Sequence, residues 1–319
     1  MSDMNSILVV GSVALDTVKT SSGRSVEALG GSATYFALAA SYFASVQLVA
    51  VVGEDFPRSH RDTLAKRRVD LSGLQAAKGK TFRWSGKYDK DGGVATTLTT
   101  HLNVFKTFRP TLSQAQRKTE VVFLANIDPD LQAEVLAQMH KPTIVACDTM
   151  NYWIDSKPAA LKKLLAKVDV FFSNDEEAKK LTGAANALQA AEVLGDWGPS
   201  VVVIKKGEHG ALMKVREKFY VFPAYPLARI KDPTGAGDTF AGGFMGYLAA
   251  SRAHNDVWHL KRAMAYGTTL ASFNVEDFST RNIEDLDRVA IDERFHDLAD
   301  RMTIPRADDP LKSRRAVSA

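Results

Sequence analysis

Short, nearly continuous apolar runs alternate along this chain with longer segments of helical period, and that alternation leaves few folds open to it. The runs are ILVVG (6–10), VQLVAVVG (46–53), EVVFLA (120–125), TIVACD (143–148), VDVFFSN (168–174) and SVVVIKKG (200–207). They are rich in β-branched residues and lack polar alternation, which suits strands covered on both faces, as in a parallel sheet. Between them, segments 32–44, 130–139, 158–167 and 175–183 carry helical spacing. The pattern predicts a doubly wound α/β fold, a mostly parallel sheet with helices on both faces. A chain of 319 residues, 45% of them hydrophobic, is long enough to bury a substantial core.

Residues 81–108 break the rhythm. There TFRWSGKYDKDGGVATTLTTHLNVF alternates polar and apolar residues on both sides of a DKDGG turn, the pattern of a β-hairpin that serves as a lid. The expected organisation is one domain over 1–304, with lid strands within about 11–30 and 78–108, and a basic, disordered tail over 305–319. A second β pair is expected at GALMKV and KFYVFPA, followed by a largely helical end with a last helix near 283–302.

Several function classes drop out. The first apolar run follows Asp3 and lacks a basic leader and a cleavage site, and no segment reaches the roughly 18 apolar residues of a membrane span. A soluble, cytoplasmic protein with no membrane partner is expected. Cys147 is the one cysteine, so no intrachain disulfide forms, and its apolar setting reads as packing. The net charge of +4 comes with no basic stripe interleaved with aromatics, which argues against a nucleic-acid partner. GLQAAKGKT (73–81) has the wrong glycine spacing for a phosphate-binding P-loop, DKDGG lacks the ligands of a calcium loop, and the histidines are too scattered for a histidine metal site.

One stretch carries chemistry. In DPTGAGDTFAGGF (232–244) a polar turn runs into an apolar helix that should begin near Gly237. Free N–H groups and the positive end of the helix dipole then converge on Gly235, Ala236 and Gly237, a cradle for a phosphate. Asp238 as a mere first-turn acid would explain the charge but not the glycines. A carboxylate beside an anion cradle makes sense as the base that takes a proton from an attacking hydroxyl in phosphoryl transfer.

On these residues the chain resembles the PfkB family of carbohydrate kinases, in the ribokinase-like superfamily that includes adenosine and other nucleoside kinases. The resemblance spans roughly residues 5–300. The family motif D-T-x-G-A-G-D stands here as DPTGAGD, which implies Asp238 as catalytic base, Gly235, Ala236 and Gly237 as the anion hole, and Asp232 near a monovalent cation, K⁺. VVGSVALDTV and LGGSATYFALAAS resemble the substrate motifs, implying Asp16, Gly30 and Gly31 as substrate ligands. Ribokinase-type members carry asparagine where this chain has Tyr35, and a phenol cannot make the same bidentate hydroxyl contact. Arg83 and Trp84 of the lid complete the expected substrate set. FFSNDEEAKKLTG resembles the N-x-x-E element, implying Asn174 at the nucleotide and Glu177 on Mg²⁺ through water; the same spacing also reads as a helix cap. Lys205, Gly207, Gly210, Thr234 and Asn274 are the remaining nucleotide-site candidates.

The expected activity is therefore ATP- and Mg²⁺-dependent phosphorylation of a hydroxymethyl group on a sugar or sugar-like substrate. A nucleoside kinase is the alternative, favoured by Tyr35 and by Phe82, Trp84 and Tyr88 as stacking aromatics. A catalytically silent sugar sensor is the rival from another class, opposed by the intact Asp238 and glycines. The resemblance also implies a homodimer formed through the lid.

Overall fold

The computed structural model describes residues 6–88 and 95–303. The expected DKDGG turn and the tail from 305 lie outside the described residues. In chain order the strands are β1 (Ser6–Val10), β2 (Ala14–Thr20), β3 (Gly23–Gly30), β4 (Ser45–Gly53), β5 (Asp70–Ala77), β6 (Phe82–Lys87), β7 (Thr96–His101), β8 (Val121–Leu124), β9 (Ile144–Asp148), β10 (Val170–Asn174), β11 (Val201–Lys205), β12 (Ala211–Val215) and β13 (Lys218–Phe222). They form a nine-stranded sheet in the order β13-β12-β11-β10-β9-β8-β1-β4-β5 and a four-stranded sheet in the order β3-β2-β6-β7. In the large sheet β1, β4, β5 and β8 to β11 pair in parallel, and β12 and β13 add an antiparallel edge.

The helices are α1 (Ser32–Ala40), α2 (Arg58–Lys66), α3 (Gln114–Arg117), α4 (Pro129–Gln138), α5 (Asn151–Ser156), α6 (Pro158–Leu165), α7 (Asp175–Thr182), α8 (Ala187–Asp196), α9 (Ala236–Ser251), α10 (Val257–Asn274), α11 (Arg281–Glu284) and α12 (Arg288–Met302). Side chains alternate across a strand. Accordingly Ile7 and Val9 of β1 join one buried cluster with residues of α1, α9, α10 and α12, while Leu8 and Val10 join another with residues of α4, α6 and α8. Local chemistry sets the helix starts: Asn186, Asp256 and Asp287 each accept a backbone N–H as N-caps, and Pro129 opens α4 behind the Asp128 cap. Among the described residues no helix is long and apolar enough to cross a membrane.

The helix of the glycine motif starts at Ala236, near Gly237 as expected, because Gly235 takes a left-handed φ of 73° and turns the chain at once. Two expectations need correction. The single last helix expected near 283–302 is two, α11 and α12, since Asp287 takes an extended conformation and caps a fresh start. β5 has no counterpart among the expected strands. It lies at the sheet edge with alternating exposure, so it lacks the continuous apolar run of its neighbours.

Candidate active site

β1 lies between β8 and β4, and the chain builds the sheet outward from it in both directions. In such sheets a crevice opens outside the carboxyl ends of the strands where the order reverses. The ends of β9, β10 and β11 deliver Asp148, Asn174 and Lys205 to that side, and the loop before α9 brings Asp232 to Asp238 across it.

At the start of α9, Gly235 is the N-cap. A Cβ there would lie 2.4 Å from ring atoms of Tyr35, so only glycine lets the turn sit on that ring. The Ala236 N–H is engaged by Pro233 O at 3.2 Å, and among the described residues the amides of Gly235 and Gly237 have no backbone partner, which leaves both able to donate. Lys205 Nζ reaches the same spot, 2.7 Å from where a Cβ of Gly237 would stand. The residue before the cradle is held from several sides. Thr234 N donates to Asp232 Oδ1 at 2.9 Å, and Asn274 Nδ2 donates to Thr234 O at 2.8 Å.

Asp238 is part-open to solvent, and its carboxyl lies beside that of Asp148, which is only 4% exposed. Burial pushes Asp238 above the usual carboxylate range, with Lys205 pulling it back down. Asp148 is pushed up further by burial and by Asp238 beside it. Burial likewise raises Glu177, against the pull of the Asn174 N–H and Lys205. Glu177 and Asn174 form a full capping box: Glu177 N donates to Asn174 Oδ1 and Asn174 N to Glu177 Oε2, each at 2.8 Å.

On the small sheet, Asp16 is 5% exposed and accepts the Gly31 N–H. Its carboxylate lies over Gly30, where a Cβ would fall 2.0 Å from Oδ2. Burial, with Asp232 and Asp238 adding repulsion, lifts Asp16 to about 7. Trp84 stands in register with Asp16 on β6, on the same face of the sheet. Its Nε1 donates to Thr97 Oγ1 at 3.2 Å. Tyr88 just past β6 accepts from Thr234 Oγ1 at 3.2 Å. Asp232 is fully buried, its second oxygen accepts Ser279 N at 3.0 Å, and among the described residues it makes no salt bridge.

The other expected site residues take several positions. Arg83 faces away from Asp16, because neighbours on a strand point to opposite faces, and it pairs with Glu27 and Asp55, each at 2.8 Å. Tyr35, at 1% exposed, is the floor under Gly235 and turns its hydroxyl toward Asp16 and Asp232. Asn274 is fully buried and braces Thr234. Gly210 makes a turn whose Cβ position would collide with Phe222 O at 1.9 Å, and Gly207 three residues earlier borders open space. Sequence reasoning missed Asp148 and the link made by Tyr88. An acid ending a buried parallel strand was a signal for Asp148. No group of three or more histidine, cysteine or acidic residues gathers as a metal cluster among the described residues.

A large α/β sandwich with a small sheet folded over its strand ends is an architecture shared with sugar and nucleoside kinases. Nucleoside kinase from Methanocaldococcus jannaschii superimposes with a TM-score of 0.72 at 21% identity, covering 93% of this chain and 100% of that one. Fructokinase from Vibrio cholerae O395, solved with fructose, ADP and calcium ion, gives 0.76 at 18% identity, covering 92% and 99%. In sequence, cytidine kinase from Thermococcus kodakarensis is 32% identical over 254 residues, 78% of this chain and 90% of the relative. The model of the pfkB family carbohydrate kinases matches residues 4–286, and the chain belongs to that family. It is an ATP-dependent kinase acting on a sugar or nucleoside.

Proposed function

We propose that the chain transfers the γ-phosphoryl group of ATP to a hydroxymethyl group of a sugar ring, with Asp238 as general base. The observation that carries this reading is the meeting, at the first turn of α9, of one carboxylate with the free amides of Gly235 and Gly237 and with Lys205 Nζ. The acceptor oxygen attacks the γ-phosphorus while its proton passes to Asp238. As the new O–P bond forms, the bond to the β-phosphate oxygen breaks and ADP leaves. The glycine amides and Lys205 stabilise charge on the transferring oxygens. Asp16 holds neighbouring hydroxyls of the acceptor so that the reacting one faces Asp238.

Asp148, Glu177 and Asp238 outnumber Lys205 at this spot, and a second anion would be repelled without a cation. These hard oxygen donors fit Mg²⁺, which when bound neutralises the phosphates; Glu177 would hold it through water. Asp232, buried and without a salt bridge among the described residues, fits a monovalent cation such as K⁺. We expect Glu177→Gln to raise the Mg²⁺ concentration needed for half-maximal activity. A variant that loses only thermal stability, with an unaltered Mg²⁺ response, would leave Glu177 as a cap and nothing more.

A nucleoside is the acceptor we favour, because Trp84 lies beside Asp16 on one face of the small sheet, where a base attached to a bound ribose would meet it. The 32% identity to cytidine kinase supports the same reading. A screen of ATP consumption over cytidine, inosine, ribose and fructose tests it. If a nucleoside wins, Trp84→Ala should weaken its binding by about 1 to 3 kcal/mol, the usual worth of stacking a base on an aromatic. Turnover of ribose alone, indifferent to Trp84, would return the assignment to a bare sugar. The small sheet acts as the lid in this reading. Its edge strands β3 and β7 carry the exposed Val26 and Leu98, which supports a homodimer through the lid.

A further inference from the structure

The indole of Trp84 lies down along its own strand. A Cβ on Gly86 would fall 2.3 Å from Cη2 of the ring and 2.4 Å from Cζ2, so the benzene half of the indole rests on the glycine two residues further along the same face of β6. Gly86 has no left-handed φ, so its backbone would accept other residues; what the glycine provides is space for the ring. The indole N–H is held from β7. There Trp84 pairs with Thr100 and Ser85 with Thr99, and a regular ladder would set Leu98 opposite Gly86. A bulge sets Thr97 opposite Gly86 instead, and Trp84 Nε1 donates to Thr97 Oγ1 at 3.2 Å. One face of the ring thus sits on Gly86. The side chain is only half-buried, and its other face is turned outward beside Asp16, its direct neighbour across the ladder.

We infer that Gly86 and Thr97 are specificity-determining residues, which hold the Trp84 indole flat as a platform for the base of the acceptor, a role that rests on reading that acceptor as a nucleoside. A methyl group at Gly86 would tilt the ring off the strand. Loss of the Thr97 hydroxyl would leave the indole N–H without its partner and let the ring turn. A ring fixed before the ligand arrives has less freedom to lose on binding, and so stacks more tightly. With its N–H already engaged by Thr97, the indole offers the base a face rather than a polar edge, which is the contact that every base can make and a bare sugar cannot.

Calorimetric titration of the full chain with cytidine and with inosine, in the presence of Mg²⁺ and β,γ-imido-ATP, tests the platform. Gly86→Ala should raise the dissociation constant of a bound nucleoside about tenfold, the order of a lost base stack. Thr97→Val, which loosens the ring without displacing it, should raise it about threefold, and Thr97→Ser should restore the wild-type value. In a Trp84→Ala background neither Gly86→Ala nor Thr97→Val should weaken binding further, because no ring is left to tilt, whereas damage to the sheet itself would persist there. A loss from Gly86→Ala that is just as large without Trp84 overturns the platform, as does nucleoside affinity indifferent to Gly86→Ala or to Trp84→Ala. Wild-type protein that binds neither nucleoside overturns the nucleoside reading, and the platform with it.

Discussion

Asp238→Asn should keep the fold and bind ATP as before, yet lower turnover by on the order of 10² to 10⁴, the usual worth of a positioned general base. The substitution is close to isosteric and removes one of two carboxyls that face each other, so no steric or electrostatic penalty accompanies the loss of the base. Pre-steady-state and steady-state rates of the purified variant, with nucleotide affinity measured alongside, check the expectation. Full activity would take Asp238 out of the mechanism.

Asp16→Ala should weaken acceptor binding at least tenfold and leave ATP affinity nearly unchanged, since charge-assisted hydrogen bonds to an ionised carboxylate contribute roughly 1.5 to 3 kcal/mol. A pH signature comes with it. Burial holds the Asp16 carboxyl near 7, so below that pH it is increasingly protonated and loses the charge that grips the hydroxyls. Acceptor affinity in the wild type should fall as pH drops through about 7 and level off above it, whereas Asp16→Asn should be weak and flat. Titration calorimetry of cytidine and ribose between acid and mildly alkaline pH separates these outcomes. Unchanged affinity in Asp16→Ala would remove the proposed acceptor site, whichever class of substrate is used.

The large sheet was legible wherever a strand is buried on both faces, because β1, β4, β8, β9, β10 and β11 each read as an unbroken apolar run. β5 was not, since an edge strand has the mixed composition of a loop. The glycine turn that opens α9 was legible because its glycines and acid are consecutive and its geometry is local. Contacts made by distant segments were hidden. Asp148 meets Asp238 only because the end of β9 faces the start of α9, and nothing in either segment alone reports that. Tyr35 was visible as a departure from the ribokinase pattern, but its position under Gly235 depends on how α1 packs on α9. That Arg83 turns to Glu27 and Asp55 was hidden too, because its face depends on the register between β2 and β6, which composition does not encode.

The crowding of acids at this site also bears on how well the protein holds together. Asp16, Asp148, Glu177 and Asp238 all have raised proton affinities in the folded chain, so between the ordinary carboxylate range and those raised values the folded state carries more protons than the unfolded one. Folding stability from these groups therefore declines as pH rises through that window, and the share from Asp16 is lost as pH passes about 7. At the pH that arms the site, the ligand-free fold is under its greatest internal repulsion, and any cation that settles among the acids relieves it. With Asp16 and Asp238 in their proposed roles, substitutions that relieve this repulsion should harden the free protein and disable it together.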